Sequence, residues 1–429
     1  MNTNFARVRN GRRTRIIVAL VCVALWTSTS TRAAELEEVV DAAIAGDPVI
    51  AGTIAEERAW REASVAAAEL PDPRVQVNLA NVPTDTFDLA QEPMTQVAIG
   101  VSQSFPPGET RRLRSERMVL RGEVVPAQRA LRRATIKREV SLRWYDAMLA
   151  ERSIQLVRAE RPFFEQLIDV TQSLYTSGAR NAGQKDVIAA SAELTRLDNR
   201  LLMAREVRAR KLSELTQWVP AMSIATVPWA ATSDTQVSWN APDLAMHPES
   251  RVSERMVRIA NADVELAREQ RKPGWSLNTS YGIRDHDRFG NDLADFVSVG
   301  VAFDLPLFRA NRQDRQVRAA SERVAVAENT RLEKLRVLRA GLAEARTRVD
   351  ELSAQRALYR DTLMTQLDSL TSASLDAYTA RTGDFNDVLR AYVSRLNARI
   401  ELARIETEMH KALVLIEYYM TTDDEGVSQ

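Results

Sequence analysis

The chain has 429 residues, with 58 Lys+Arg balancing 58 Asp+Glu, and a single cysteine. It is long enough for more than one structural unit, and no concentrated basic stretch marks it for nucleic acid. Residues 1–33 hold six of the basic residues and no acid, so the remainder is mildly acidic with both signs interspersed.

Residues 1–33 read as a signal peptide. Arg12, Arg13 and Arg15 precede an apolar stretch from Ile16 to Trp26, and Thr31 and Ala33 are small residues ahead of a cleavage point at Ala34. The lone cysteine, Cys22, lies in this segment, which suits an exported protein. Beyond it no apolar run approaches the ~20 residues of a membrane helix, so any crossing of a membrane falls to β-strands.

The pattern then runs twice. The first repeat is expected over 34–218, a connection over 219–247, the second repeat over 248–421 and a disordered acidic tail over 422–429. Pro73 and Pro273 are 200 positions apart, as are Pro106 and Pro306; Asp186 and Asp387 are 201 apart. Each repeat opens with a helix, the first over 36–70. A β-hairpin follows, at 72–106 in the first copy and 273–306 in the second.

The hairpins alternate with period two. Val75, Val77 and Leu79, then Val97, Ile99 and Val101, share one face in the first copy. Trp275 and Leu277, then Val297, Val299 and Val301, do so in the second, while the opposite faces are Ser, Gly, Asn and Gln. Strands of roughly ten residues are about long enough to cross a bilayer at a tilt, and a small polar face suits a wet lumen.

Long helices follow each hairpin. The run over about 109–175 carries Pro126 and Pro162, where a kink or interruption is expected. The run from Arg309 to about Ala373 has no proline. Its Leu335, Leu338, Leu342, Ala345, Val349 and Leu352 step 3, 4, 3, 4, 3, a narrow coiled-coil seam. Each run breaks at a turn, around Gly178 and Gly183 in one copy and around Gly383 in the other, where glycine permits the positive φ that ends a helix. Asp186, Asp384 and Asp387 follow the turns and suit helix N-termini.

No Gly-rich phosphate loop, Gly-x-Ser-x-Gly elbow or His-Glu-x-x-His motif occurs, so neither an enzyme nor a cofactor is expected. Asp285-His286-Asp287 in the second hairpin loop fits either a metal ligand set or a plain solvated loop.

This order resembles the TolC-like outer-membrane efflux factors. The resemblance rests on Leu70-Pro-Asp-Pro-Arg74, Ser102-Gln-Ser-Phe-Pro-Pro-Gly108, Asp186-Val-Ile188, Asp304-Leu-Pro-Leu-Phe308 and Gly383-x-x-x-Asp387-Val-Leu389. The Pro-Asp-Pro and Gln-Ser-Phe-Pro-Pro-Gly segments look most like the heavy-metal (cobalt–zinc–cadmium and copper–silver) branch. The resemblance implies a mostly α fold with membrane β: a homotrimer in which duplicated long-helix hairpins form a periplasmic α-barrel tube. Four strands per chain would contribute to one twelve-stranded outer-membrane barrel in contact with lipid. It implies a passive exit duct in a Gram-negative outer membrane, served by a periplasmic adaptor and an inner-membrane RND-type pump. Heavy-metal cations would be the cargo, with organic drugs or secreted protein as alternatives; a non-transport structural coiled coil is a further reading.

By the same resemblance the acids after the second turn restrict the periplasmic entrance, which assigns Asp387 and its neighbour Asp384. The family's second acid is replaced here by Arg390. Gly178, Gly183, Asp186 and Gly383 would form the tip turns that dock the adaptor.

Overall fold

A computed structural model describes residues 36–177, 183–219 and 242–422. The expected signal peptide, Gly178, most of the 219–247 connection and nearly all of the tail lie outside the described residues.

The 36–70 segment is two helices, α1 (Leu36–Ala45) and α2 (Pro48–Ala68). The periodicity is interrupted by local chemistry that it does not reveal. Pro48 has no N–H to continue a helix, and the Asp47 carboxylate accepts the Ile50 N–H at 2.9 Å, starting a new one. The same carboxylate takes the Arg132 guanidinium at 2.8 Å, which docks the break against the next helix.

Strands β1 (Arg74–Ala80) and β2 (Gln96–Phe105) form the first hairpin. The first long helix, α3 (Thr110–Thr176), is 67 residues, roughly 100 Å at 1.5 Å per residue. It runs unbroken through Pro126 and Pro162, contrary to an interruption there. Each proline removes one backbone bond, but Val124, Val125, Ala127 and Phe164 beside them are buried against neighbouring helices, and that packing outweighs the local cost. Helix α4 (Gln184–Leu215) folds back along α3.

The second repeat holds α5 (Pro248–Glu269), β3 (Gly274–Ile283), β4 (Phe296–Asp304), α6 (Gln313–Ala357), α7 (Met364–Thr379) and α8 (Phe385–Met420). A π-helical turn, Leu358–Leu363, joins α6 to α7, so the second arm is a continuous helix with one wide turn inside it. Of the expected seam, Leu338, Leu342 and Ala345 are buried, the last two against Ile416 of α8. Arg356 then occupies a seam position and is itself buried, with Glu406 at 3.3 Å.

The four strands make one antiparallel sheet in the order β1-β2-β3-β4. Its central ladder, β2 with β3, joins the two repeats, pairing Val101 with Thr279 and Phe105 with Trp275. At the other end of the helices, Phe164, Leu167 and Ala190 of the first repeat share a core with Tyr378, Phe385, Val388 and Leu396 of the second.

Candidate functional site: the helical tip and the apolar sheet

The register settles which strand residues share a face. Val75, Val101, Thr279 and Val299 are successive partners across the sheet, as are Val77, Ile99, Tyr281 and Val297. Leu79 pairs with Val97, Leu277 with Val301, and Trp275 with Phe303. All the strand residues singled out from sequence therefore lie on one continuous face. That face is bare: Val75 and Val77 are each 69% exposed, and Val299 68%. Leu307 and Phe308 beyond β4 are 79% and 80% exposed. Among the described residues no strand pairs with the outer edge of β1 or β4. Phe105 and Trp275 stack with ring centroids 3.9 Å apart at the end of the sheet nearest the helices. The opposite face carries Gln76, Gly100, Ser280 and Ser298 in register. Among the described residues no helix is long and apolar enough to cross a membrane.

At the far end, α7 closes in a Schellman turn. The Thr382 N–H donates to the Ala377 carbonyl at 2.9 Å and the Arg381 N–H to the Tyr378 carbonyl at 3.0 Å. The left-handed residue is Arg381, with φ 63°, and not Gly383. Gly383 serves differently. A Cβ there would lie 2.9 Å from the Cβ of Ala377 and 3.1 Å from its carbonyl carbon, so the glycine allows the chain to pass close to α7. Gly183 has φ −117° and is an extended N-cap, so it too has no positive φ.

The acids divide by role. Asp186 is buried, and its carboxylate accepts the Gly183 N–H at 2.8 Å, so it closes the start of α4. Asp384 caps α8, accepting the Asn386 N–H at 2.7 Å. That N–H above all holds the Asp384 carboxyl below its ordinary range, with the charges of Lys185 and Arg390 adding to it. Lys185 belongs to the first turn, so both turns lie together at one end. Asp387 faces solvent and accepts the Arg390 guanidinium at 2.9 Å.

No protein-family model matches this sequence, and no curated protein matches it. Solved structures do. A structure of CusC, described for its transmembrane channel formation, superposes with TM-score 0.74 at 14% identity, covering 93% of this chain and 96% of that one. The outer membrane protein VceC of Vibrio cholerae gives 0.72 at 14%, covering 90% and 96%. The CmeC outer membrane channel of Campylobacter jejuni gives 0.72 at 13%, covering 91% and 88%. The chain has the fold of these outer-membrane channels. The fold of these channels thus extends along nearly the whole chain, with the sheet at one end and the paired turns at the other.

Two features of this channel fold escape a reading of the sequence. Glu160 of α3 is 4% exposed and accepts Arg395 at 2.9 Å and Arg399 at 2.7 Å, both from α8. Asp368 of α7 also approaches both guanidinium groups. The spacing of Arg395 and Arg399, one turn apart on α8, is the one sequence signal of this clamp. His247 is buried at the start of α5, where its Nδ1 accepts the Glu249 N–H and its Nε2 meets the Tyr418 carbonyl at 3.1 Å. Those partners assign the neutral form with the proton on Nε2.

The hairpin-loop triplet does not converge. His286 bridges Asp285 at 2.7 Å and Asp292 at 2.9 Å, whereas Asp287 turns away to accept the N–H groups of Phe289 and Asn291. Among the described residues no three such side chains are arranged to hold a metal ion.

Proposed function

We propose that this chain is the outer-membrane exit duct of a tripartite efflux assembly. The observation that carries the reading is a four-stranded sheet with an exposed apolar face and two unpaired edges, attached to helices of 67 residues. Apolar side chains so exposed favour lipid over water, and a sheet with free edges is stable in a bilayer only when closed. Four strands are too few for closure, since membrane barrels begin at about eight. Three copies would supply twelve strands, with the helices continuing the barrel as a tube through the periplasm.

In this reading the protein performs no chemistry and offers a water-filled path. The two turns at the tip, including Gly183, Asp186 and Gly383, meet a periplasmic adaptor, and an inner-membrane RND-type pump supplies the energy. Asp384, Asp387 and Arg390 line the entrance. The Pro-Asp-Pro and Gln-Ser-Phe-Pro-Pro-Gly segments favour heavy-metal cations as cargo.

The subunit count of the detergent-extracted protein tests the reading, measured by light scattering with correction for bound detergent. Three chains in the outer-membrane fraction support it. A stable monomer in the soluble fraction would end it.

A further inference from the structure

We propose that Arg390 cancels the field of Asp387 at the tip, so that the duct mouth does not favour cations and Arg390 is the residue that sets its ion preference. This rests on the duct reading above and assigns selection of the cargo to another component.

The pair is local and exposed. Arg390 Nη2 lies 2.9 Å from Asp387 Oδ1, with side chains 76% and 60% exposed. Two opposite charges this close act on a passing ion as a dipole, whose field fades faster than that of a lone carboxylate. The rest of the described tip adds no surplus. In the first turn of α4, Lys185 is exposed, while Asp186 is buried against the Gly183 N–H. Arg381, Asp376 and Asp384 are exposed in and beside the other turn. The exposed charges of the described tip are thus three basic and three acidic. All lie within a turn or so of the helix ends, and at physiological salt the field of each exposed charge fades over about 8 Å.

The sheet repeats the pattern. By register, its small-residue face carries Arg74 and Asp304 as its only charged side chains, one of each sign, both at the helix-proximal end. Among the described residues, therefore, the exposed charges of the tip are equal in number, and the small-residue face of the sheet carries one charge of each sign among Ser, Gly, Asn and Gln.

The experiment is the potassium-to-chloride permeability ratio of the purified full-length protein in planar lipid bilayers under a KCl gradient. The wild type should lie within about twofold of unity, since paired charges leave little field to focus ions. Arg390→Gln frees one carboxylate per chain and should raise the ratio by more than about twofold; Asp387→Asn should lower it by a similar factor. Both residues are exposed, so both variants should assemble. Should one fail, the shift of the other, opposite in sign, decides. A strongly cation-selective wild type, or variants that leave the ratio unmoved, would overturn the proposal. An assembled protein with no conductance would instead overturn the duct reading on which it rests.

Discussion

Glu160 joins two helices from different repeats, and replacing it by glutamine tests what that clamp is worth. The carboxylate is 4% exposed and holds two guanidinium groups at 2.9 and 2.7 Å. Hydrogen bonds to charged groups contribute about 1.5–3 kcal/mol each, and glutamine retains one weaker acceptor. Arg395 and Arg399 keep 18% and 34% of their side-chain surface in water and retain Asp368 nearby, which discounts the loss. The net cost should be about 2 kcal/mol, below the value for breaking a fully buried pair. On the duct reading the protein is a membrane trimer, which would unfold irreversibly, so the suitable assay is native-state hydrogen exchange, which reads local opening. A loss of about 2 kcal/mol corresponds to exchange roughly 30-fold faster in the tip-proximal parts of α3 and α8, with α1 and α2 unchanged. In the cycle with Arg399→Gln, the coupling should exceed about 1 kcal/mol. Exchange within twofold of wild type, or a coupling near zero, would refute the argument.

Three further outcomes follow from the same geometry. Burial holds the His247 imidazole below its ordinary value of 6.5. The unfolded chain therefore takes up its proton first as pH falls; the stability from His247 is complete above about pH 6.5 and is lost below it. His247→Asn should flatten that part of the pH dependence of opening free energies read by native-state hydrogen exchange at the start of α5. Arg381→Gly should stabilise the tip by about 1 kcal/mol by removing the Cβ from a left-handed position, whereas Gly383→Val should destabilise it, both read by exchange of Ala377 to Asn386. Val299→Arg places a charge on the bare face and should cost about 2–4 kcal/mol per chain in membrane assembly; Ser298→Arg, on the opposite face, should assemble normally.

The hairpins were legible because period-two alternation reports a face directly, and the register reproduces that face residue by residue. The second long arm was legible from its lack of proline. Where sequence reasoning failed, a local preference lost to packing. Pro126 and Pro162 sit inside a helix clamped by its neighbours. The positive φ fell on Arg381 because the Schellman turn places it two residues after the last helical one, while Gly383 was needed for clearance. Asp47 and Pro48 restart a helix inside an otherwise helical composition. Periodicity does not say which of many charges is buried, so Glu160 was invisible until Arg395 and Arg399 were placed opposite it.

The central ladder of the sheet has a consequence for biogenesis. Phe105 and Trp275 stack on one another, yet about 170 residues separate them, so at 5–20 residues per second β3 emerges roughly ten seconds or more after β2. For that interval the first hairpin is a two-stranded ribbon with two open edges and an apolar side, able to pair with the same hairpin of another nascent chain. The duplication thus imposes a waiting time before the central ladder of the sheet can close.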